Sequence, residues 1–149
     1  MVYDQDYEQE YNEIREKNEV YLGEFWKDLV DSGLKERTAN RHCQNVDFYI
    51  NTYLLREGPL EMAYGVNSDI ISDYLGDFFI RKCMWSTPST IKSTATSIKK
   101  FYKCMLQRGY INETAYRELI GTIKDNMDSW LDDCEVYNDP SADNPFRFF

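Results

Sequence analysis

Apolar side chains recur along most of this chain at steps of three, four and seven residues, the spacing that places them on one face of an α-helix. The first such stripe runs from Tyr3 to Val30 and is interrupted mainly by acidic residues and glutamines. Ser32 and Gly33 follow it. Because glycine readily adopts the left-handed conformation that closes a helix, the first helix is predicted to end near Val30.

The second stripe predicts a helix that begins between Glu36 and Thr38 and runs to Leu55. Gly58 and Pro59 follow it. Because proline cannot continue the backbone hydrogen bonding of a helix, these two residues are predicted to end it.

Two further helices are predicted from the same spacing. Residues 67–69 are typical of a helix cap, and the third helix follows them through Phe79, although Gly76 inside it costs about 1 kcal/mol of helix propensity. Residues 86–89 contain the next break. The fourth helix is predicted to follow that break and to end at Gly109.

The rest of the chain supports one or two more helices between Glu113 and Leu131, and the residues after Tyr137 look irregular and end in phenylalanines. No segment alternates as a strand would, so the predicted fold class is all-α: a bundle of four core helices with an added acidic N-terminal helix and a C-terminal helix. The chain is interpreted as one domain with four segments. These are an acidic N-terminal helix (1–31), a core bundle (32–111), a C-terminal helical segment (112–137) and an irregular aromatic tail (138–149). The tail is predicted to dock on the bundle or on a partner.

Composition excludes several classes of protein. A chain of 149 residues with 42% hydrophobic side chains can bury a core without disulfides or metal. No apolar run approaches the roughly 18 residues of a membrane helix, and the opening MVYDQDYEQE is unlike a signal peptide, so we expect a cytoplasmic protein without membrane contact. Four scattered cysteines and one histidine indicate reduced thiols, with neither a zinc ribbon nor a disulfide framework.

Charge is unevenly distributed along the chain. The formal net charge is −9, but residues 79–110 contain seven basic residues and no acidic one. Residues 1–31 contain ten acidic and three basic residues, and residues 111–149 contain nine and three. A lysine row on a helix is ordinarily solvated surface. An acid-free stretch of 32 residues in so acidic a chain favours a role in binding a polyanion.

The basic residues of this stretch share one side of the fourth predicted helix. At 100° per residue, Lys92, Lys99 and Lys103 lie about 80–120° from Ile91, which belongs to the apolar face. The polar side of the second predicted helix carries residue types that hold phosphates or read base edges. The candidate nucleic-acid-binding residues are Arg37, Asn40, Arg41 and Gln44 on the second helix and Lys92, Thr96, Lys99, Lys100 and Lys103 on the fourth.

Three motifs carry a family resemblance: SGLKERTANRHCQNVDFYINTYL, VNSDIISDYLGDFFI and STPSTIKSTATSIKKFYKCMLQRGYI. Their helix caps and core positions, which span about half of the chain, resemble the core-binding domain of phage integrases and other tyrosine recombinases, also called the SAM-like N-terminal domain. The resemblance implies a four-helix bundle that clamps one side of double-stranded DNA through its second and fourth helices, and hence through the same nine candidate residues. It also implies a link to DNA recombination and to a mobile element.

The chain is predicted not to be an enzyme. The catalytic domain of the recombinases has no counterpart, because fewer than 40 residues follow Ile111 and the only histidine is His42. Neighbouring pairs such as Asp132 with Asp133, or His42 with Cys43, point about 100° apart on a helix and do not converge on a metal or a substrate. No cofactor or metal is therefore predicted.

Two functional hypotheses follow. The first is a non-catalytic DNA-associated domain that grips phosphates with its second and fourth helices, although a net charge of −9 repels DNA at long range. The second is a protein-interaction or regulatory module whose acidic ends, Asp4–Asp31 and Glu113–Asp143, mask the basic face or bind a recombinase or another protein partner. Aromatic residues of the first helix and of the tail would equally support a homodimer.

Overall fold

The computed structural model describes residues 2–139 of the chain, and the side chains of residues 7–139. In this part of the chain the structure contains helices and no strand, which confirms the predicted all-α class. The α-helices are α1 (Val2–Asp31), α2 (Glu36–Asp47), α3 (Ser68–Asp73), α4 (Phe79–Lys82), α5 (Pro88–Gln107) and α6 (Glu113–Asn138). The predicted aromatic tail begins where α6 ends, and from residue 140 onward it lies outside the described residues.

Helix ends follow the local signals of the sequence. Gly33 has a φ of +105° after α1, and Gly109 has a φ of +83° after α5. Both values lie in the left-handed region that glycine occupies without steric cost. At the start of α5, the Thr87 side chain accepts a hydrogen bond from the backbone N–H of Thr90 in a capping box. The predicted ends of the first and fourth helices are therefore confirmed to within a residue or two.

Two of the predicted helices contain a wider π-helical segment. The helix α2 continues into Phe48–Tyr53, and the segment Tyr74–Phe78 joins α3 to α4. The two segments meet through aromatic rings, with the ring centroids of Tyr49 and Tyr74 4.6 Å apart. Such ring pairs stabilise beyond their buried area, so this contact offsets part of the cost of the wider turns.

The core draws on the terminal helices as well as on the central ones. Phe25 of α1 is fully buried, and its ring packs edge-to-face on Phe101 of α5 with centroids 5.4 Å apart. From α6, Leu119, Ile123 and Trp130 belong to the same buried cluster. Both terminal helices thus supply side chains to the common core. The division into four core helices with an added N-terminal helix and an added C-terminal helix stays a prediction.

An ionic cluster fixes α1 against the C-terminal end of α5. The Arg108 guanidinium donates to Asp28 at 2.8 and 2.9 Å and to Glu24 at 2.6 Å. The thiol of Cys104 donates to Asp28 at 2.8 Å. Hydrogen bonds from Arg108 hold the pKa of Asp28 below its usual value of 3.8, and partial burial opposes this shift.

Because of this cluster, the difference in unfolding free energy between the wild type and Asp28→Asn is expected to depend on pH. Because the pKa of Asp28 is lower in the folded chain than in the unfolded chain, its contribution is present above pH 3.8 and is lost as the pH falls through the folded value. Urea unfolding should show the wild type more stable than Asp28→Asn at pH 7. The gap should shrink as the pH falls below 3.8, and a gap that stays constant would contradict the assignment.

The glycine inside the third predicted helix has a packing role. A Cβ atom on Gly76 would lie 2.5 Å from Nε1 and 2.6 Å from Cδ1 of Trp130, whose indole is 5% exposed. The helix α6 therefore approaches the π segment closely because position 76 has no side chain. The low helix propensity of glycine at position 76 is the cost of this close contact.

Gly76→Ala is expected to destabilise the fold by roughly 1–3 kcal/mol, because the added methyl group forces the buried Trp130 indole to move. Gly121→Ala is the matched control, since a Cβ atom at this α6 position meets nothing within 4 Å. It should leave stability unchanged or raise it by up to about 1 kcal/mol through helix propensity. Urea denaturation of both variants measures the difference, and equal effects would contradict the packing argument.

Candidate nucleic-acid interface

A groove of about 310 Å³ separates the outer edges of α2 and α5, where the two helices pack side by side. Its residues come from the two helices that carry the candidate residues, and all of them have a hydrogen-bonding or cationic side chain. They are Arg41, His42 and Asn45 of α2 and Ser89, Lys92, Ser93, Thr96 and Ser97 of α5. The groove therefore presents phosphate-binding groups from both walls.

The floor of the groove is a polar seam between the helices. Nδ1 of His42 and Oγ of Ser97 are hydrogen-bonded at 2.7 Å, and Nδ2 of Asn45 donates to the same hydroxyl at 3.0 Å. Oγ of Ser97 in turn donates to the carbonyl oxygen of Ser93 at 3.1 Å. These bonds fix the two helices relative to each other, so the groove walls are held in place before any ligand arrives.

The electrostatic environment of the groove is positive. Burial lowers the pKa of His42 below its usual value of 6.5, and the charges of Lys100 and Arg41 lower it further. The imidazole is therefore neutral at pH 7, and the cations of the groove are Arg41 and Lys92, with Lys100 close enough to act on His42. An anion between α2 and α5 would meet these charges without a compensating carboxylate from the described residues.

The lysine row of α5 is available to a ligand. Lys92, Lys100 and Lys103 are exposed and Lys99 is half-buried. Among residues 7–139, none of the four makes an ion pair. The acidic α1 neutralises Arg108 instead, at the far end of α5. None of the described side chains of α1 masks the lysine row. The side chains of residues 1–6 and the part of the acidic C-terminal end from residue 140 onward lie outside the described residues.

All four candidate residues of α2 are exposed, but one of them has a hydrogen-bond partner on α1. Arg37, Arg41 and Gln44 are exposed on the outer side of the helix. The carboxamide oxygen of Asn40 instead accepts a hydrogen bond from Nε1 of Trp26 on α1 at 2.8 Å. Asn40 thus ties α1 to α2 and lies about 100° around the helix from Arg41, away from the groove.

The structure therefore brings only part of the candidate set together. Arg41, Lys92 and Thr96 line one groove, and Lys100 lies beside its floor. The half-buried Lys99 and the exposed Lys103 continue the lysine row along α5, while Arg37 lies one helical turn before Arg41. Gln44 lines a neighbouring cavity instead.

Sequence reasoning missed the polar seam. His42 and Asn45 are three residues apart, and Ser89, Ser93 and Ser97 recur at steps of four on one side of α5. Such spacing of small polar residues beside an apolar stripe indicates a hydrogen-bonded contact between helices. The signal was present in the sequence, but the two halves of the seam are more than 40 residues apart, and only the packing of α2 on α5 joins them.

The described residues give little support for metal binding or for thiol chemistry. Among the side chains of residues 7–139, no three His, Cys, Asp or Glu lie together in a way that could hold a metal ion. Burial raises the pKa of Cys43 and Cys83 to about 11 and that of Cys104 to about 12. These thiols therefore remain protonated at neutral pH and are weak nucleophiles.

None of the helices in the described residues combines the length and the apolar character needed to cross a membrane.

No protein-family model matches the chain, and the comparisons with curated proteins and with solved structures find no match either. The resemblance to the recombinase core-binding domain therefore stays a prediction that rests on the three motifs.

Proposed function

We propose that this chain is a non-catalytic DNA-associated module that holds the phosphates of double-stranded DNA along the groove between α2 and α5. The observation that carries the proposal is the row of exposed lysines on α5, which has no carboxylate partner among the described residues. In a chain of net charge −9, unpaired cations on one face favour a polyanion as ligand.

The side chains of the groove suit phosphate better than base edges. Arg41 offers a planar fork that matches two phosphate oxygens, and Lys92 and Lys100 act as mobile point charges. Ser89 and Thr96 add hydroxyl donors, and Ser89 lies in the first turn of α5, where the helix dipole also favours an anion. Contacts of this kind position a duplex without reading its sequence, so binding should depend little on sequence.

The test is a titration of the full chain with a labelled duplex of arbitrary sequence at about 50 mM salt, followed by the same titration at higher salt. Each phosphate neutralised contributes roughly −0.9 to the slope of log affinity against log salt, so four to six cations predict a slope of about −3.6 to −5.4. Absence of binding at about 50 mM salt would overturn the proposal.

A second candidate function is a protein interaction through α1. Four of its carboxylates, Glu8, Glu10, Glu16 and Glu19, are exposed and make no ion pair with any described residue. A second copy of the chain could place this acidic face on the basic groove and so exclude DNA. Light scattering at low and high salt measures such self-association, and a monomer at both would remove this candidate.

A further inference from the structure

A smaller cavity of about 180 Å³ adjoins the groove. Asn45 lines both spaces, so the cavity opens beside the phosphate-binding walls. Its other residues are mostly aromatic and come from several elements. They are Gln44, Phe48, Tyr74, Phe79, Trp85 and Thr94.

The aromatic wall is partly exposed to solvent. The Trp85 ring packs edge-to-face on Phe48 and Phe79, with centroids 5.6 and 6.4 Å away, yet Trp85 remains 55% exposed. The adjacent Met84 is fully exposed. A large indole held by two other rings but open on its remaining side is suited to stacking with a flat ligand.

Polar groups are also present in this wall. The hydroxyl of Tyr74 is buried and has no hydrogen-bond partner among the described residues. The carboxamide of Gln44 is exposed at the rim. Ligand pockets characteristically combine apolar walls with a few polar groups, and here the exposed Gln44 is the polar group that a ligand can reach.

We propose that this cavity takes one unstacked base of single-stranded DNA whose phosphates lie in the neighbouring groove. The inference rests on the proposed function and names the nucleic acid that the site prefers. In a duplex, stacking hides both faces of every base, whereas an unpaired base offers a face to Trp85 and an edge to Gln44. The volume lies below the roughly 300 Å³ typical of pockets for drug-sized ligands and suits a single flat ring system.

The positive charges beside the cavity favour a nucleotide over other aromatic ligands. Arg41 and Lys92 line the adjoining groove, so a ligand whose ring enters the cavity brings its substituents toward two cations. A base attached to a phosphate backbone places its ring in the cavity and its negative charge in the groove at the same time. An uncharged aromatic compound would leave the cations unused, and an apolar protein segment would place no anion there.

The experiment compares three labelled probes with the full chain at about 50 mM salt: a single strand, its perfect duplex, and the same duplex with one extrahelical base. We expect the single strand and the bulged duplex to bind at least fivefold more tightly than the perfect duplex. Trp85→Ala should weaken binding of the single strand about tenfold, while its effect on the perfect duplex stays below twofold. Trp85→Phe should retain most of the affinity, because a ring remains to stack.

Met84→Ala is the control for Trp85→Ala, since Met84 is adjacent and fully exposed but does not line the cavity. Gln44→Ala changes an exposed residue at the rim, and it should weaken the single strand and not the duplex. Thermal unfolding of each variant separates a loss of stacking from a loss of fold.

The outcomes distinguish this inference from the proposed function. Equal affinities for all three probes, or a single-strand affinity that Trp85→Ala leaves unchanged, would overturn the base pocket while duplex binding stands. No binding of any probe would overturn both proposals. Self-association that Trp85→Ala abolishes, without preference for the single strand, would make the aromatic patch a protein interface and would also overturn the base pocket.

Discussion

Replacing Lys92, Lys100 and Lys103 with glutamate is expected to lower duplex affinity at least a hundredfold at about 50 mM salt. The three side chains are exposed along one strip of α5, and none makes an ion pair with a described residue. Each substitution removes a phosphate contact and adds a charge that repels the phosphate. Fluorescence anisotropy with a labelled duplex measures the loss, and circular dichroism checks that the helices remain.

A matched control separates the groove from the overall charge. Lys17, Lys27 and Arg117 lie on α1 and α6, and their side chains are 59%, 69% and 77% exposed. Replacing these three with glutamate changes the formal charge of the chain by the same amount. It should weaken binding only a few-fold, through long-range repulsion.

Two results would contradict the interface. An equal loss in both triple variants would assign binding to total charge and not to the groove. An unchanged affinity in the α5 variant would remove the lysine row from any role. Surface substitutions of this type usually change stability by less than about 0.5 kcal/mol each, so misfolding does not explain a large loss.

The acidic ends cannot be tested by simple removal. Phe25 of α1 and Leu119 of α6 are fully buried in the common core, so a chain shortened to residues 32–111 would expose the surfaces they cover. Loss of binding by such a fragment would report unfolding. Substitutions that remove a negative charge at exposed positions, such as Glu16→Gln and Glu19→Gln, address the regulatory hypothesis while they leave the core intact.

The features that could be predicted from the sequence are those that local chemistry decides. Gly33 and Gly109 end helices because only glycine adopts a positive φ without strain, and Thr87 begins α5 because its hydroxyl accepts from a free backbone N–H. The exposure of Lys92 and Lys103 follows from the 100° step of a helix once the apolar face is known. Each of these inferences needs only neighbouring residues.

The features that sequence reasoning missed depend on contacts between distant segments. Asn40 stays a predicted nucleic-acid contact, but nothing near it in sequence indicates that Trp26 donates to its side chain. The hydrogen bonds of His42 and Asn45 to Ser97 likewise require α2 to pack on α5. Helical periodicity shows which face is buried, but it does not show which helix covers that face.

Gly65→Ala is expected to cause a large loss of stability, of roughly 3 kcal/mol or more. Gly65 is buried, and a Cβ atom there would clash with the hydroxyl of Tyr102 and would lie 2.9 Å from Cε2 of Tyr49. Both rings are fully buried. Their hydroxyls donate to carbonyl oxygens of the short 3₁₀ helix Met62–Val66, Tyr102 to Met62 at 2.7 Å and Tyr49 to Gly65 at 2.6 Å. Neither ring can move without breaking a buried hydrogen bond, so the clash is not relieved locally.

A double-mutant cycle identifies the cause of that loss. Tyr102→Phe removes the hydroxyl that the new methyl group meets, at the cost of leaving the Met62 carbonyl oxygen without its donor, about 1–2 kcal/mol. If the clash dominates, the double variant is more stable than the sum of the two single losses predicts, by about 1 kcal/mol or more. Gly23→Ala, where a Cβ atom meets nothing within 4 Å, serves as the control and should not destabilise. Strictly additive losses in urea denaturation would show that the hydroxyl of Tyr102 is not what excludes a side chain at position 65.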